Sequence, residues 1–215
     1  MPNQLSRRAV TQLVAVMGVQ CLFAPARAAD EPTEADVTRQ AILYDAAAPT
    51  GGNPKGDLNL VVFFDYNCPY CKRSEPDLLR LVKTDGKIRL VYKDWPILTP
   101  ASIKAAQWAL AAKYQGRYDD AHAAMMAIPG SKIPEDQMRR AIVTAGLDMD
   151  RLDADLQTHA GDITTLLRRN LAQADSLGLQ GTPAYIVGEY RVTSALTYDK
   201  FKHVASDARA RQAKP

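Results

Sequence analysis

The stretch from Leu58 to Cys71, Leu-Asn-Leu-Val-Val-Phe-Phe-Asp-Tyr-Asn-Cys-Pro-Tyr-Cys, constrains the fold more than any other part of the chain. Its apolar run from Leu60 to Phe64, rich in β-branched and aromatic residues, has the length and composition of a buried strand. Asp65, Tyr66 and Asn67 make a short turn, and a helix-forming run from Lys72 to Val82 follows. Cys68 therefore falls at a helix N-cap, with Pro69 at the first helical position, where a missing N–H costs nothing. A sulfur placed there faces unpaired backbone N–H groups and the positive end of a helix dipole. Both favour thiolate over thiol, and the thiolate is the reactive form. Cys71 lies one turn on, close enough to close a short disulfide with Cys68.

Residues 1–28 read as an export address rather than as fold. Arg7 and Arg8 form a basic n-region, Ala9 to Ala24 is mildly apolar, and Ala26-Arg27-Ala28 supplies a small-x-small cleavage pattern. Thr11, Gln12 and Gln20 make the apolar stretch too polar for a membrane span. Ser6-Arg7-Arg8 is a partial twin-arginine pattern, so both the Sec and twin-arginine routes are open and the expected destination is the periplasm. Cys21 is preceded by Gln20, not by the small residue a lipid-attachment site wants.

Cleavage changes the charge balance. The full chain has 27 basic and 24 acidic side chains; the address holds Arg7, Arg8 and Arg27 and no acid, so 24 face 24 afterwards. A neutral chain without a Lys/Arg-rich, aromatic-interleaved run gives no reason to expect a nucleic-acid partner. Cleavage also removes Cys21, leaving Cys68 and Cys71 as the sole thiols of an exported protein. In an oxidising compartment such a pair is a local staple or a redox centre.

The rest of the chain divides by pattern. Residues 29–57 read as an N-terminal helix and a linker: Thr33-Glu34-Ala35-Asp36 resembles a capping box opening a helix to about Tyr44, and the Pro/Gly-rich run from Ala46 to Gly56 reads as linker. That helix is a candidate oligomerisation arm, or else a surface helix packed on its own domain. Ile88, Leu90 and Tyr92 alternate in a second strand that ends before Pro96. Strand, helix and strand of these lengths make a right-handed βαβ unit with Cys68 at the carboxyl edge of a parallel strand.

Residues 101–177 show only helical periodicity, with Asp148 and Asp162 as expected N-caps and Gly178 as a C-terminal stop. Met125, Met126 and Met138 fit core positions. Ala184 to Val187 and Tyr190 to Val192 flank a two-residue turn and read as a hairpin. A closing helix runs from Tyr198 to about Ala208, with Phe201, Val204 and Ala208 inward, and Arg209 to Pro215 reads as a polar tail.

Together these pieces resemble the DsbA-type thiol-disulfide oxidoreductases of the thioredoxin superfamily. The resemblance rests on Cys68-Pro69-Tyr70-Cys71 after its strand and turn, Pro76 in the following helix, the long helical stretch, and Gly181-Thr182-Pro183 before a hairpin and helix. The phrase Phe-Phe-Asp-Tyr-Asn-Cys-Pro-Tyr-Cys is especially similar to the suppressor-of-copper-sensitivity and Com1-like branch. The likeness implies an α/β thioredoxin fold: a mixed sheet from residues 58–100 and 178–210, flanked by helices, with residues 101–177 as a helical insertion. By the same likeness Cys68 would be the exposed nucleophile and Cys71 the buried resolving thiol. Pro69, Tyr70 and Asp65 would tune the site. Pro183 would be a cis-proline facing the sulfurs, and Thr182 would offer backbone hydrogen bonds to an extended substrate strand. Pro76 would kink the active-site helix.

The implied activity is formation or isomerisation of disulfides in exported proteins, without a cofactor and with an inner-membrane redox partner. One departure stands out: many relatives carry a buried glutamate where this chain has Val62, so either Asp65 or a water assists proton transfer, or exchange is slower and the thiol pKa is differently set. Thr193-Ser194 also replaces a frequent Pro-Gly.

Other chemistries fit less well. Zinc wants about four ligands, and His122, His159 and His203 lie in separate helical segments, where surface or helix-end positions are expected; no metal site is expected. A purely structural Cys68–Cys71 bridge closes so short a loop that it gains little chain entropy. A copper-tolerance protein using both thiolates is the remaining alternative, because soft sulfur suits Cu(I), and a non-catalytic thioredoxin-like binding module is another.

Overall fold

The computed structural model describes residues 31–213; the export address, with Cys21, lies outside the described residues. A 3-10 turn, Glu34–Val37, leads into helix α1, Arg39–Leu43, and strand β1, Thr50–Gly52. Strand β2, Leu58–Phe64, helix α2, Pro69–Asp85, and strand β3, Ile88–Asp94, follow. Five helices then run without a strand: α3, Pro100–Ala112; α4, Tyr118–Met126; α5, Glu135–Thr144; α6, Met149–Thr158; and α7, Ala160–Ser176. The hairpin β4, Ala184–Val187, and β5, Tyr190–Val192, and helix α8, Tyr198–Gln212, complete the chain. None of the described helices is long and apolar enough to cross a membrane.

The sheet order is β1-β3-β2-β4-β5. Only β2 and β3 are parallel, joined through α2; β1 with β3, β2 with β4 and β4 with β5 are antiparallel. This is the thioredoxin-like mixed sheet with flanking helices, and it bears out the expected fold class. Being central, β2 is buried on both faces. Leu58, Leu60, Val62 and Phe64 point to one side, against Leu78 and Leu81 of α2, Phe201 and Ala205 of α8 and much of the helical stretch. Val61 and Phe63 point to the other, against Ile42 and Leu43 of α1, Trp95 and Ala174 of α7. Each large apolar side chain so enclosed contributes roughly 1.5–3 kcal/mol relative to exposure.

Several local expectations change in three dimensions. The run read as linker contains β1, whose Thr50–Gly52 pairs with Arg89–Val91 through the backbone alone. Gly52 has φ +68, and a Cβ there would lie 2.4 Å from the Ile88 carbonyl oxygen, so glycine at this position serves the sheet edge. The capping box at Thr33 forms, but the helix expected to Tyr44 breaks at Thr38, which caps α1 afresh. Ile42 and Leu43 then pack on the chain's own sheet. Asp162 is inside the first turn of α7, whose N-cap is His159. Arg209 is not in a tail: α8 continues to Gln212, and the guanidinium pairs with Asp57 and Asp85 at 2.7 Å each.

Candidate active site

The turn between β2 and α2 puts Cys68 where its chemistry is decided. The Cys68 N–H donates to the Asp65 carbonyl at 3.0 Å, closing the turn. Cys68 then adopts an extended conformation at the N-cap of α2, with Pro69 at the helix start. The backbone N–H of Cys71 donates to Cys68 Sγ at 3.3 Å, which satisfies one of the orphan donors of the first turn.

From the other side, the Thr182–Pro183 peptide is cis and brings the Thr182 carbonyl oxygen 3.2 Å from Cys68 Sγ. Both sulfurs are free and buried. Cys68 is only 2 % exposed, so the expected exposed nucleophile is instead a covered sulfur, with the Thr182 carbonyl across it. Its neighbours Pro69 and Tyr70 are exposed, and the Arg73 guanidinium lies 4.7 Å over the Tyr70 ring.

The two thiols are electrostatically unlike. Hydrogen bonding from the Cys71 thiol lowers the Cys68 pKa to about 6 against the opposing effect of burial, helped by the Thr182 side chain, not its carbonyl, and by the backbone N–H groups of the first turn. Burial pushes the Cys71 thiol far up, and its bond to Cys68 and the charge there push it further. One sulfur is thus an anion at neutral pH and the other stays protonated beside it. A folded-state pKa below the unfolded value stabilises the reduced fold above the unfolded pKa. That stabilisation falls away as pH drops through about 6. At pH 7 it amounts to about 1 kcal/mol after solvent screening. The oxidised form has no thiolate and gains none of it.

The turn itself is bolted to the helical stretch. The Asp65 carboxylate accepts from the N–H groups of Asn67, Ile97 and Leu98 at 2.7, 2.8 and 2.9 Å and from the Ser102 hydroxyl at 2.7 Å. Its oxygens are turned to these donors, and it influences Cys71 through its backbone. Asn67 donates to Thr99 Oγ1 at 2.8 Å and accepts from the Ile133 N–H at 2.6 Å. Tyr66 Oη meets His122 Nδ1 at 3.0 Å.

The structure brings Cys68, Cys71, Pro69, Tyr70, Thr182 and Pro183 together. Val62 packs in the apolar layer, in register with Tyr92 and Tyr185. Pro76 sits inside α2.

His122 corrects the expectation for the histidines. It is 2 % exposed, and its Nε2 lies 2.9 Å from Glu75 Oε1. His159, by contrast, is at a helix end and His203 is exposed. The missed signal was the spacing of Tyr118, His122 and Met125 on one buried helical face. Among the described residues no group of three or more His, Cys, Asp or Glu is arranged to hold a metal.

The thioredoxin family profile matches residues 46–206. A thioredoxin-like oxidoreductase from Silicibacter pomeroyi DSS-3 superposes with a TM-score of 0.76 at 38% identity, covering 82% of this chain and 99% of that one. The thiol-disulfide exchange protein alpha-DsbA2 from Wolbachia pipientis gives 0.73 at 27% identity over 80% and 94%. The thiol:disulfide interchange protein DsbA of Bordetella pertussis (strain Tohama I) is 25% identical over 182 residues, 84% of this chain and 83% of that protein. The chain also matches the Na(+)/H(+) antiporter NhaA 1 of Mycobacterium sp. (strain KMS), at 29% identity over 143 residues, 65% of this chain, but it spans only 23% of that protein's length.

Proposed function

The chain belongs to the thioredoxin family, in the company of DsbA-like thiol-disulfide exchange proteins, and on that premise we propose that it forms or isomerises disulfide bonds in exported proteins in the periplasm. The observation that carries this reading is the capped Cys68 sulfur, which faces a cis-proline peptide with a protonated Cys71 behind it.

In the oxidising direction a substrate thiolate attacks Cys68 Sγ of the Cys68–Cys71 disulfide. The S–S bond breaks, Cys71 leaves with the electron pair and takes a proton, and a mixed disulfide forms. A second substrate thiolate attacks the substrate's own sulfur and expels Cys68 as thiolate. The substrate loses two electrons and the protein gains them. The low Cys68 pKa makes it the better leaving group, because a more acidic thiol departs faster. For isomerisation the reduced Cys68 thiolate attacks a wrong disulfide and is later expelled by another substrate thiol, with no net electron transfer.

Thr182 and Pro183 present the backbone against which an extended substrate strand lies, and Tyr70 sets the exposed rim. A redox partner in the inner membrane restores the working oxidation state. Oligomerisation through the N-terminal arm from Thr33 to Tyr44 belongs to the same proposal.

Cys71→Ser tests the order of events. With the resolving thiol gone, the variant is expected to accumulate mixed disulfides between Cys68 and reduced, unfolded exported proteins, visible as adducts on non-reducing gels and released by dithiothreitol. Adducts mapped to other positions, or none under conditions that trap a control thiol protein, contradict the assignment of Cys68 as nucleophile.

A further inference from the structure

His122 joins the two arms of the cysteine-bearing segment, although it comes from the helical stretch that follows β3. On one side its Nδ1 is 3.0 Å from Tyr66 Oη, in the turn that delivers Cys68. On the other its Nε2 is 2.9 Å from Glu75 Oε1, one turn beyond Cys71 on α2. One ring nitrogen thus faces the Glu75 carboxylate and the other the Tyr66 hydroxyl, so a single side chain bridges the two.

The ring is enclosed. Phe64 meets it edge-on at 4.9 Å, Tyr92 is tilted at 4.8 Å and Tyr118 is stacked at 5.7 Å. Asp94 and Asp119 are the further charged groups facing it, with Tyr118 donating to Asp94 at 3.0 Å. Asp65 and Asn67 fasten the turn to the starts of α3 and α5. The Tyr66–His122–Glu75 chain instead fastens it to α2 itself.

We propose that His122 is a positioning residue for thiol exchange: by holding Tyr66 before Cys68 and Glu75 after Cys71, it fixes the start of α2 on which the Cys68 sulfur depends. This rests on the exchange reading above. The Cys71 N–H to Cys68 Sγ bond spans the joint between turn and helix. If that joint loosens, the sulfur loses its donors and becomes less acidic. The acid that the family resemblance places at position 62 is absent here, while Glu75, on α2 itself, is buried.

The test is the pH profile of Cys68 alkylation by iodoacetamide in the reduced protein, read with thermal melting for His122→Ala, His122→Gln and Tyr66→Phe. His122→Ala is expected to move the midpoint up by about one pH unit, tenfold less thiolate at acidic pH. His122→Gln, which can still bridge both partners, is expected to stay near the wild-type midpoint.

Should His122→Ala fail to fold, Tyr66→Phe removes a single hydroxyl and is expected to shift the midpoint upward by about half a unit. A lowered melting temperature with an unmoved midpoint in folded His122→Ala, or in Tyr66→Phe where His122→Ala does not fold, overturns the proposal, as does a His122→Gln midpoint shifted as far as that of His122→Ala. These outcomes apply when the wild-type protein exchanges with glutathione; a wild type that does not exchange overturns the exchange reading instead.

Discussion

Replacing Cys68 with serine is expected to reduce thiol-disulfide exchange to the uncatalysed background while leaving the fold nearly as stable as the reduced wild type. The two halves of this expectation have separate causes. Exchange requires a sulfur that can enter a disulfide, and a hydroxyl cannot. Stability depends on the cap, and serine is among the best N-cap residues. Its oxygen can take over the Cys71 N–H that Cys68 Sγ now accepts. Pro69, the Asp65 bonds and the Asn67 bonds do not involve the sulfur at all. The difference in unfolding free energy from the reduced wild type should therefore stay within about 1 kcal/mol. Urea titration and glutathione exchange on the same preparation check both halves. A variant that retains exchange, or one that unfolds, contradicts the role given to Cys68.

The largest stability effect is expected far from the sulfurs, at Asp45. Lys93 of β3 is fully buried, and its ammonium lies 2.9 Å from Asp45 Oδ2. Arg169 of α7 reaches the same carboxylate through two nitrogens, each at 3.0 Å, and the Ala47 N–H donates to it at 3.0 Å. Burial pushes the Asp45 carboxyl up, yet Lys93 and Arg169 together hold it below its ordinary value. Burial likewise pulls the Lys93 ammonium down against the opposing pull of Asp45.

Asp45→Ala strands the Lys93 charge in the interior, and breaking a buried pair from one side costs about 3–5 kcal/mol. Lys93→Met is expected to cost much less, because Asp45 keeps Arg169 and the vacated space is refilled by an apolar chain of similar length. Urea midpoints for the two variants provide the comparison, and equal midpoints contradict this reading. The same pair gives a sign in pH. A carboxyl held below its ordinary value contributes stability that is full above the unfolded pKa and lost as pH falls through the lower folded one.

What could be read in the sequence was whatever is local. The β2 run, the Cys68 cap, Pro69 and the hairpin are each determined by neighbours within a few residues, and all stand where the sequence put them. The cis bond at Pro183 came with the family resemblance, not with its immediate surroundings.

The misses are long-range. Thr50–Gly52 looks like linker because glycine carries no strand signal, and it becomes a strand only because β3 offers its backbone. Lys93 reads as the polar member of an alternating strand, whereas its partners lie 48 residues before it and, through Asp45, on α7. His122 reads as an ordinary helical polar residue until Tyr66 and Glu75 close around it. Asp65 shows the same limit at short range. The family resemblance offers it, beside a water, as a stand-in for the missing glutamate, and its carboxylate is occupied by three backbone N–H groups and a hydroxyl.

The most direct measurement is the reduction potential of the Cys68/Cys71 pair, equilibrated with glutathione. A thiolate with a pKa of about 6 stabilises the reduced form more than a thioredoxin-like thiol does and less than the very acidic thiol of a strong oxidant. The expected potential therefore lies between about −270 mV and about −120 mV. A pair that does not exchange with glutathione, remaining a fixed disulfide under all buffers, contradicts the redox assignment and leaves Cys68–Cys71 as a structural staple.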